Sequence, residues 1–487
     1  MKLIINGAIS PYYIQMLAML YFPGEHFPEA DEPDGRCAQL TVTSDSGGAH
    51  AVCDIYDGAG HGHGEAAYCT DSDESSVKFA AGGAFLDAAT ALTGYRPPWG
   101  MLTGIRPAKI AASLIEAGNT PTDAEAYFTD VCRTTHEKAR LAVRTAATAL
   151  PIVTPERRRE CSLYIAIPFC PTRCAYCSFV SYTTPRLLSM IPEYLDALLE
   201  DITYMLSIID SLGLRIASVY IGGGTPTVLN ANQLERLLAH IAERASASDE
   251  FTLEAGRPDT ITEEKLRIAH SFGVSRLSVN TQTLDDEVLR TIGRAHTADD
   301  FRAAYNMAAN SGIGNLNVDL IAGLPGDTEE SFRRSLEEVE SLSPQNITVH
   351  AFSVQRSAQF KTGGSDVFDR DGVAAGKCVA FAAKSLDTAG YVPYYMYRQK
   401  NTAGNLENVG YSLPGHEGLY NIFMMDEIHS VFAVGASSAT KLVSPRGDRI
   451  ERIFEPKYPY EYLSGRGDEH RADLRDKIMG FYRTEMN

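Results

Sequence analysis

Residues 163–177, LYIAIPFCPTRCAYC, are the part of the sequence that is most informative about the fold. Its apolar, β-branched first half predicts a buried strand, and the loop that follows carries Cys170, Cys174 and Cys177. Three thiolates at this spacing can bind three corners of an iron–sulfur cube and leave one iron open for chemistry. An open iron can chelate the amino and carboxylate groups of S-adenosylmethionine. The alternatives are a zinc site with Cys161 as fourth ligand, or three buried thiols that happen to be close.

The same strand begins a regular alternation of strands and helices. The predicted strands are Leu163–Ile167, Ser218–Ile221, Phe251–Leu253, Arg276–Val279, Asn317–Ile321 and Ile347–Phe352. The predicted helices between them are Ile191–Ile209, Asn232–Arg244, Glu263–Ser271, Asp285–Ile292, Asp299–Ala309 and Glu329–Ser341. Continuous apolar strands alternating with helices predict a parallel sheet covered by helices. Six such units favour an open, partial (β/α)6 barrel over a closed eight-stranded one.

Two flanking regions differ in character from the barrel. Residues 1–155 predict an acidic α+β module: strands at Ala38–Thr43 and Ala51–Tyr56, then helices at Phe85–Leu92, Pro107–Glu116 and a long Ala124–Leu150. The prolines and arginines of Pro151–Glu160 predict a linker, and His61-Gly-His63 a flexible polar loop. We expect the barrel over residues 160–352 and a C-terminal α/β domain over residues 353–487, which covers the substrate.

Composition limits the function classes. The chain has 487 residues and a formal net charge of −18, which argues against a general nucleic-acid binder. Nothing in it predicts a membrane span or a secretory signal. Nine cysteines, an odd number with three close together, predict metal binding in a reducing compartment, and therefore a cytoplasmic protein.

Several motifs in the barrel region carry a family resemblance. They are YIAIPFC at 164–170, GGGTPT at 222–227, RLSVNTQ at 276–282, GRAHT at 293–297 and NVDLIAGLP at 317–325. In this order they resemble the radical SAM family around oxygen-independent coproporphyrinogen III oxidase. Three flanking motifs are similar to its coproporphyrinogen dehydrogenase (HemZ-type) branch: PWGMLTGIRP at 98–107, EAGRPD at 254–259 and GNLENVGY at 404–411.

The resemblance implies two cofactors and the residues that hold them. Cys170, Cys174 and Cys177 are expected to hold a [4Fe–4S] cluster. The expected contacts to S-adenosylmethionine are Tyr164, Tyr176, Gly222, Gly223, Gly224, Thr225, Glu254, Gln282, Arg294, Asp319 and Ala351. The tyrosines would flank the cluster, the glycines would let the backbone approach the methionine amino group, and Arg294 would hold the carboxylate. Ala351 would lie beside the adenine.

For three of these polar residues, the predicted barrel gives a separate reason to expect a ligand contact. Glu254, Gln282 and Asp319 are predicted to end the third, fourth and fifth strands. Because the carboxyl ends of barrel strands face the active site, polar residues there are typical of ligand contacts.

The implied reaction is the oxidative decarboxylation of two propionates of coproporphyrinogen III, which gives protoporphyrinogen IX and needs an unidentified electron donor. Arg356, Arg398 and Lys400 are candidates for the substrate carboxylates. Two departures keep alternatives open: Ala166 stands where family members carry His, and Phe179 where the oxidase carries Cys. The alternatives are a haem chaperone of the same family and a radical SAM enzyme acting on another tetrapyrrole.

Overall fold

The computed structural model describes the chain except residues 34, 70–71, 104–105, 178–181, 354–371, 400–401 and 486–487. The chain folds as two compact units. The first contains Met1–Ala147 and Tyr397–Glu407, and the second begins at Thr148 and contains Val373–Met396 and Asn408–Asn487. The domain boundaries predicted from the sequence stay a prediction. Within the described ranges, no helix is both long and apolar enough to cross a membrane.

The first unit is built on a four-stranded sheet with helices. Its elements are β1 (Lys2–Asn6), α1 (Pro11–Tyr21), β2 (Cys37–Asp45), β3 (Gly48–Asp57), β4 (Gly60–Tyr68), α2 (Asp73–Thr93), α3 (Pro107–Glu116), α4 (Pro121–Ala126) and α5 (His136–Ala149). The sheet order is β1-β2-β3-β4, with β1 parallel to β2 and the other pairs antiparallel. Apolar residues of α1, α2 and one face of the sheet form its core.

Two predictions for this unit are wrong. The helix predicted over Ala124–Leu150 is broken between α4 and α5, where Arg133 has a φ of +58° and the Thr135 N–H donates to the Pro98 carbonyl. The His61-Gly-His63 segment lies in β4 and is not a loop. A Cβ on Gly62 would overlap a carbonyl oxygen of α2, so glycine alternates with histidine because the helix covers that face.

The second unit contains the barrel. Its elements up to the sixth strand are β5 (Glu160–Ile167), α6 (Pro185–Leu188), α7 (Ile191–Ser211), β6 (Arg215–Gly223), α8 (Ala231–Ser246), β7 (Glu250–Glu254), α9 (Glu263–Ser271), β8 (Arg276–Ser278), α10 (Asp286–Thr291), α11 (Ala298–Ala309), β9 (Asn315–Ala322), α12 (Glu329–Ser341) and β10 (Asn346–Ala351). All six strands pair in parallel in chain order. The predicted partial barrel is therefore confirmed.

The C-terminal region extends the barrel sheet at both edges. Its elements are α13 (Val373–Thr388), β11 (Val392–Arg398), β12 (Glu407–Ser412), α14 (Leu419–Asp426), β13 (Ser430–Val434), β14 (Ala439–Val443), β15 (Ile450–Phe454), α15 (Pro459–Gly465) and α16 (Asp468–Glu485). The sheet order is β11-β12-β10-β9-β8-β7-β6-β5-β13-β14-β15. Strand β12 pairs antiparallel with β10, and β13 pairs parallel with β5.

Candidate active site

The cysteine loop lies at the carboxyl end of β5 and is held by backbone hydrogen bonds. The N–H of Cys170 donates to the Tyr182 carbonyl at 3.2 Å, and the N–H of the residue after Cys174 donates to the Ile292 carbonyl at 2.9 Å. Cys170 and Cys174 are each 8% exposed, whereas Cys177 is half-buried. The loop therefore has a fixed backbone on which the three thiols are presented.

The glycine segment, residues Gly222–Thr225 at the carboxyl end of β6, packs directly against this loop. The Thr225 N–H donates to the Phe169 carbonyl at 2.8 Å, and the Thr225 Oγ1 lies 3.3 Å from the Cys170 Sγ. A Cβ on Gly224 would lie 2.5 Å from the Phe169 carbonyl oxygen and 3.0 Å from the Cys170 Sγ. Gly223 has a φ of +112°, which side chains other than hydrogen rarely allow. The close approach thus requires these glycines.

The thiol arrangement fits a cluster better than a single metal ion. Cys161 lies near the start of β5, about 20 Å along the extended strand from its end at Ile167, and Cys170 lies beyond that end. In the described part of the chain, no three His, Cys, Asp or Glu side chains are grouped as one metal ion requires. Each cysteine of a four-iron cube binds a different iron, so its thiols need not converge. The zinc alternative with Cys161 is therefore wrong.

Glu254 ends β7, as predicted, and its carboxyl group lies against the glycine segment. The Gly223 N–H donates to it, and a Cβ on Gly222 would lie 2.7 Å from its Oε2. Burial, and next the charge of Asp319, raise the pKa of Glu254 to about 8. In the cofactor-free protein this carboxyl group is therefore largely protonated at pH 7.

Asp319 lies within β9 and not at its end, because β9 continues in register with β10 through Ala322. The Asn317 Nδ2 donates to its Oδ1 at 2.7 Å, and the His350 Nε2 lies 3.6 Å from its Oδ2. Burial opposes ionisation, but the hydrogen bonds from His350, Asn317 and Thr348 outweigh it and hold the pKa of Asp319 below its usual value. Asp319 is thus the ionised member of the pair with Glu254.

Gln282 also departs from its predicted place. Strand β8 ends at Ser278, because its pairing with β9 is only three residues long, so Gln282 lies in the following segment. It is 6% exposed with a φ of +77°, a conformation that non-glycine residues seldom adopt. Its N–H donates to the Asp319 carbonyl and its carbonyl accepts from the Ile321 N–H, each at 2.9 Å. These two bonds hold the strained backbone beside Asp319.

Arg294 is 8% exposed, and both terminal nitrogens of its guanidinium donate hydrogen bonds to protein groups. Its Nη1 donates to the carbonyls of Gly256 at 3.0 Å and Asn280 at 3.3 Å, and its Nη2 donates to the Tyr176 hydroxyl at 3.0 Å. Burial raises the pKa of Tyr176, which therefore remains a neutral phenol. The Arg294 Nε is buried and has no hydrogen-bond partner among the described residues. The Nε–H is thus a buried donor that a ligand such as a carboxylate could use.

Three tyrosines stack in the second unit beside Glu254. The ring centroids of Tyr164 and Tyr220 are 6.0 Å apart, those of Tyr220 and Tyr420 are 4.4 Å apart, and those of Tyr164 and Tyr420 are 6.2 Å apart. Burial raises the pKa of all three phenols, and Glu254 raises it further when it is ionised. Sequence reasoning found Tyr164 and missed the other two. The signal for Tyr220 was its position directly across from Tyr164 in the β5–β6 pairing.

Other predicted residues are placed as follows. Ala351 ends β10, and its N–H donates to the Asn408 Oδ1 at 3.0 Å. Asn408 was missed although its motif, GNLENVGY, was recognised. In the first unit, the Arg398 Nη1 donates to the Leu102 carbonyl at 2.7 Å, and its guanidinium lies 5.4 Å from the centroid of Trp99. Arg356, Lys400 and Phe179 lie outside the described residues.

Two further residues near the cysteine loop were not predicted. His296 is 3% exposed, and neither ring nitrogen has a hydrogen-bond partner in the described structure. Burial, and then the charges of Arg294 and Arg257, lower the pKa of His296 to about 4, so the ring is neutral at pH 7. Arg257 contacts Cys174 itself.

Comparison with known proteins identifies the family of this chain. Residues 164–339 match the family model of the Radical SAM superfamily. The chain is 36% identical over 403 residues to the oxygen-independent coproporphyrinogen-III oxidase-like protein HemZ of Bacillus subtilis, which covers 81% of this chain and 79% of HemZ. It is 32% identical over 310 residues to the heme chaperone HemW of Haemophilus influenzae, covering 62% and 76% of the two chains.

The structural comparison concerns the fold. Coproporphyrinogen III oxidase (HemN) from Escherichia coli, a radical SAM enzyme, superimposes with a TM-score of 0.50. The two are 24% identical, and the match covers 66% of this chain and 71% of that one. The chain is therefore an oxygen-independent coproporphyrinogen-III-oxidase-like member of the radical SAM superfamily, with a [4Fe–4S] cluster and S-adenosylmethionine as its cofactors.

Proposed function

We propose that this protein decarboxylates two propionate groups of coproporphyrinogen III to vinyl groups and so forms protoporphyrinogen IX. The observation that carries the proposal is the stack of Tyr164, Tyr220 and Tyr420 beside Glu254 and the glycine segment. Aromatic rings in an enclosed site offer stacking surface to pyrrole rings. The similarity to HemZ over most of the chain supports the same substrate class.

Different residues of the site would bind different parts of the two cofactors. Cys170, Cys174 and Cys177 would bind three irons of the cluster. The Arg294 Nε would take the methionine carboxylate, and Glu254 with the glycine segment would take its amino group. When bound, the reduced cluster and S-adenosylmethionine supply a carbon radical that removes one hydrogen atom from the substrate.

The overall change at each propionate balances simply. The carbon attached to the pyrrole ring loses a hydrogen atom to the cofactor-derived carbon radical, the neighbouring carbon loses its carboxylate as carbon dioxide, and the remaining electron passes to a one-electron redox carrier, which we include as a second partner. The protein contributes position and exclusion of water, which the stacked tyrosines (Tyr420 buried, Tyr164 and Tyr220 half-buried) and the fixed cysteine loop favour. One-electron reduction of the cluster requires a donor protein or small carrier, which we include as a partner. The reducing cytoplasm is the compartment we infer for this chemistry.

A haem chaperone is the second candidate, because one observation favours it. Phe179 stands where the oxidase carries Cys, and the ending CAYCSF at 174–179 is similar to that of the haem-chaperone relatives. HemW relatives share this family, including the one from Haemophilus influenzae. Under this alternative the same site holds haem for delivery. Chemistry on another tetrapyrrole, for example radical methyl transfer to haem, is a third outcome of the test.

The test is an anaerobic turnover assay. The cluster is reconstituted, S-adenosylmethionine, a reductant and coproporphyrinogen III are added, and the oxidised porphyrins are separated by chromatography. We expect protoporphyrin, a three-carboxylate intermediate and 5′-deoxyadenosine in matching amount. The variant Cys174→Ala, treated identically, serves as the control for reactions that need no cluster.

Other outcomes would point elsewhere. Unchanged coproporphyrin from protein that still cleaves S-adenosylmethionine would contradict the proposed reaction. Stoichiometric haem binding without substrate-dependent 5′-deoxyadenosine would support the chaperone. Consumption of haem with methyl transfer would support a different tetrapyrrole reaction.

A further inference from the structure

Arg257 is a buried cation that reaches one of the cysteines. It follows β7 and is 3% exposed. Its Nη1 lies 3.6 Å from the Cys174 Sγ in donor geometry, and its Nη2 donates to the Thr172 Oγ1 at 2.8 Å. Its Nε donates to the Asp259 Oδ1 at 3.0 Å. The guanidinium is thus fixed from three sides and cannot swing away from the thiol.

The backbone around Arg257 explains how it is aimed. Gly256 has a φ of +50°, and its N–H donates to the Ser278 carbonyl at 3.0 Å, while the Arg257 N–H donates to the Ala255 carbonyl. This tight turn after β7 sends the side chain back under the cysteine loop. Thr172 lies between the first two cysteines and accepts two hydrogen bonds from Arg257. Its Oγ1 accepts from the Nη2, and its carbonyl accepts from the Nη1 at 3.4 Å.

The contact bears on the cluster because Cys174 is one of its ligands. Reduction adds an electron to the iron–sulfur unit, and part of that charge resides on the cysteine sulfurs. A hydrogen bond to a ligating sulfur and a nearby positive charge both favour the reduced state and raise the potential. The neighbouring Arg294 is engaged instead by Tyr176 and two backbone carbonyls.

We propose that Arg257 is a positioning residue that raises the reduction potential of the cluster through its hydrogen bond to the Cys174 sulfur. Asp259, whose side chain is 26% exposed, partly offsets the guanidinium charge and so lowers the same potential. The balance between the two residues therefore shifts the potential of the cluster, in addition to the charge of Arg294, which acts on Cys174 and Cys177 without a hydrogen bond to either sulfur. This inference requires the cluster and does not depend on the tetrapyrrole reaction.

Potentiometric titration of the reconstituted protein tests the proposal. The titration is performed anaerobically with redox mediators and without S-adenosylmethionine or porphyrinogen, and the reduced cluster is followed by electron paramagnetic resonance. We expect Arg257→Gln to lower the ratio of reduced to oxidised cluster about tenfold at a fixed solution potential, which is a shift of about 59 mV for one electron. Arg257→Lys, which retains the charge without the planar fork, should fall between wild type and Arg257→Gln.

A matched control removes the same charge elsewhere. Arg267 is exposed on α9, and Arg267→Gln should leave the potential at the wild-type value. A wild-type potential in Arg257→Gln with full iron content would overturn the proposal. An equal shift in Arg267→Gln would overturn it too, because the effect would then be one of net charge alone.

A second variant keeps the proposal testable if Arg257→Gln fails to hold iron. Asp259→Asn preserves a hydrogen-bond acceptor for Arg257 but removes the opposing charge. We expect its potential to move in the opposite direction, to less negative values. An unchanged or more negative potential in Asp259→Asn would overturn the proposal, since general loosening of the loop would not reverse the sign.

Discussion

Glu254 and Asp319 are buried carboxyl groups whose surroundings move their pKa values in opposite directions. Burial and the charge of Asp319 raise the pKa of Glu254, whereas hydrogen bonds from His350, Asn317 and Thr348 outweigh burial and lower the pKa of Asp319. One group is thus neutral and the other ionised near pH 7. An ammonium group arriving beside Glu254 would favour its ionisation and release a proton.

The pH dependence of stability follows from this difference. Between about pH 5 and pH 8 the folded chain keeps a proton on Glu254 that the unfolded chain has released. The contribution of Glu254 to the free energy of unfolding of the cofactor-free protein should therefore fall as pH rises, by up to ~1.4 kcal/mol per pH unit. Buried His296 and His429, whose pKa values are lowered, act in the opposite direction below about pH 6.5, so the comparison with a variant isolates the Glu254 contribution. Glu254→Gln should remove that contribution, as measured by chemical denaturation at several pH values.

Asp319→Asn is the matched control. Because the pKa of Asp319 is lowered, its stabilising contribution is already complete above its unfolded pKa of about 4 and is constant from pH 5 to pH 8. Because the charge of Asp319 also raises the pKa of Glu254, the variant should keep the downward slope but lose it at a lower pH than wild type. The same pH dependence in Glu254→Gln as in wild type would contradict the assignment.

The cysteines give a second prediction for single residues. Cys174→Ala should lose the cluster, because two thiols on the loop cannot hold it. Cys161→Ala should retain iron at the wild-type level, since Cys161 lies at the far end of β5. Iron and sulfide are measured after reconstitution; full iron in Cys174→Ala would contradict the ligand assignment.

Among the elements, the cysteine loop depends on its contact with the glycine segment at the carboxyl end of β6. Gly224→Ala should push the Phe169 carbonyl and the Cys170 thiol apart, at a cost of about 1–3 kcal/mol, and reduce cluster content several-fold. Iron content and the free energy of unfolding are the measurements.

Gly376→Ala is the control, because a Cβ there meets nothing within 4 Å and lies in α13. It should retain the cluster and gain about 0.5–1 kcal/mol of stability from the added alanine. Equal iron content in the Gly224 and Gly376 variants would show that the glycine contact does not position the loop.

Most elements of the barrel were predictable from sequence, and some of the site was not. Helices such as α9 and α12 were predicted to the residue, because their periodicity begins at threonine caps. Asp319 and Gln282 were misplaced because strand ends depend on pairing with neighbours that are distant in sequence. Arg257 was missed because its direction is set by the turn at Gly256, which a motif does not reveal.

At the scale of the whole molecule, the first unit contains residues that are far apart in the chain. Glu407 is fully buried and accepts hydrogen bonds from the Trp99 indole at 2.7 Å and from the Lys138 ammonium. Burial opposes its ionisation, but the charge of Lys138 and both hydrogen bonds outweigh it and lower its pKa. The segment before β12 is therefore part of the N-terminal unit.

Removal of one partner of this pair should destabilise the first unit strongly. Lys138→Met leaves Glu407 buried without its counter-charge, which costs about 3–5 kcal/mol. The chain has a single tryptophan, Trp99, so its fluorescence during denaturation reports on this unit. Arg140→Gln, an exposed change on the same helix, should leave the midpoint unchanged. A midpoint equal to that of wild type in Lys138→Met would contradict the importance of the pair.

The pairing of β5 with β13 has a consequence for biosynthesis. In this pairing Cys161 of β5 aligns with Ser430 of β13. The ribosome must therefore translate 269 residues after Cys161 before Ser430 exists. At about 5–20 residues per second this takes roughly 13 to 54 seconds. During that time one edge of the strand that leads into the cysteine loop has no native neighbour, and unpaired edges recruit other chains. The ribosome-bound nascent chain is thus exposed to aggregation at the strand on which the cofactor site depends, and iron can be inserted into a finished site only after the chain is nearly complete.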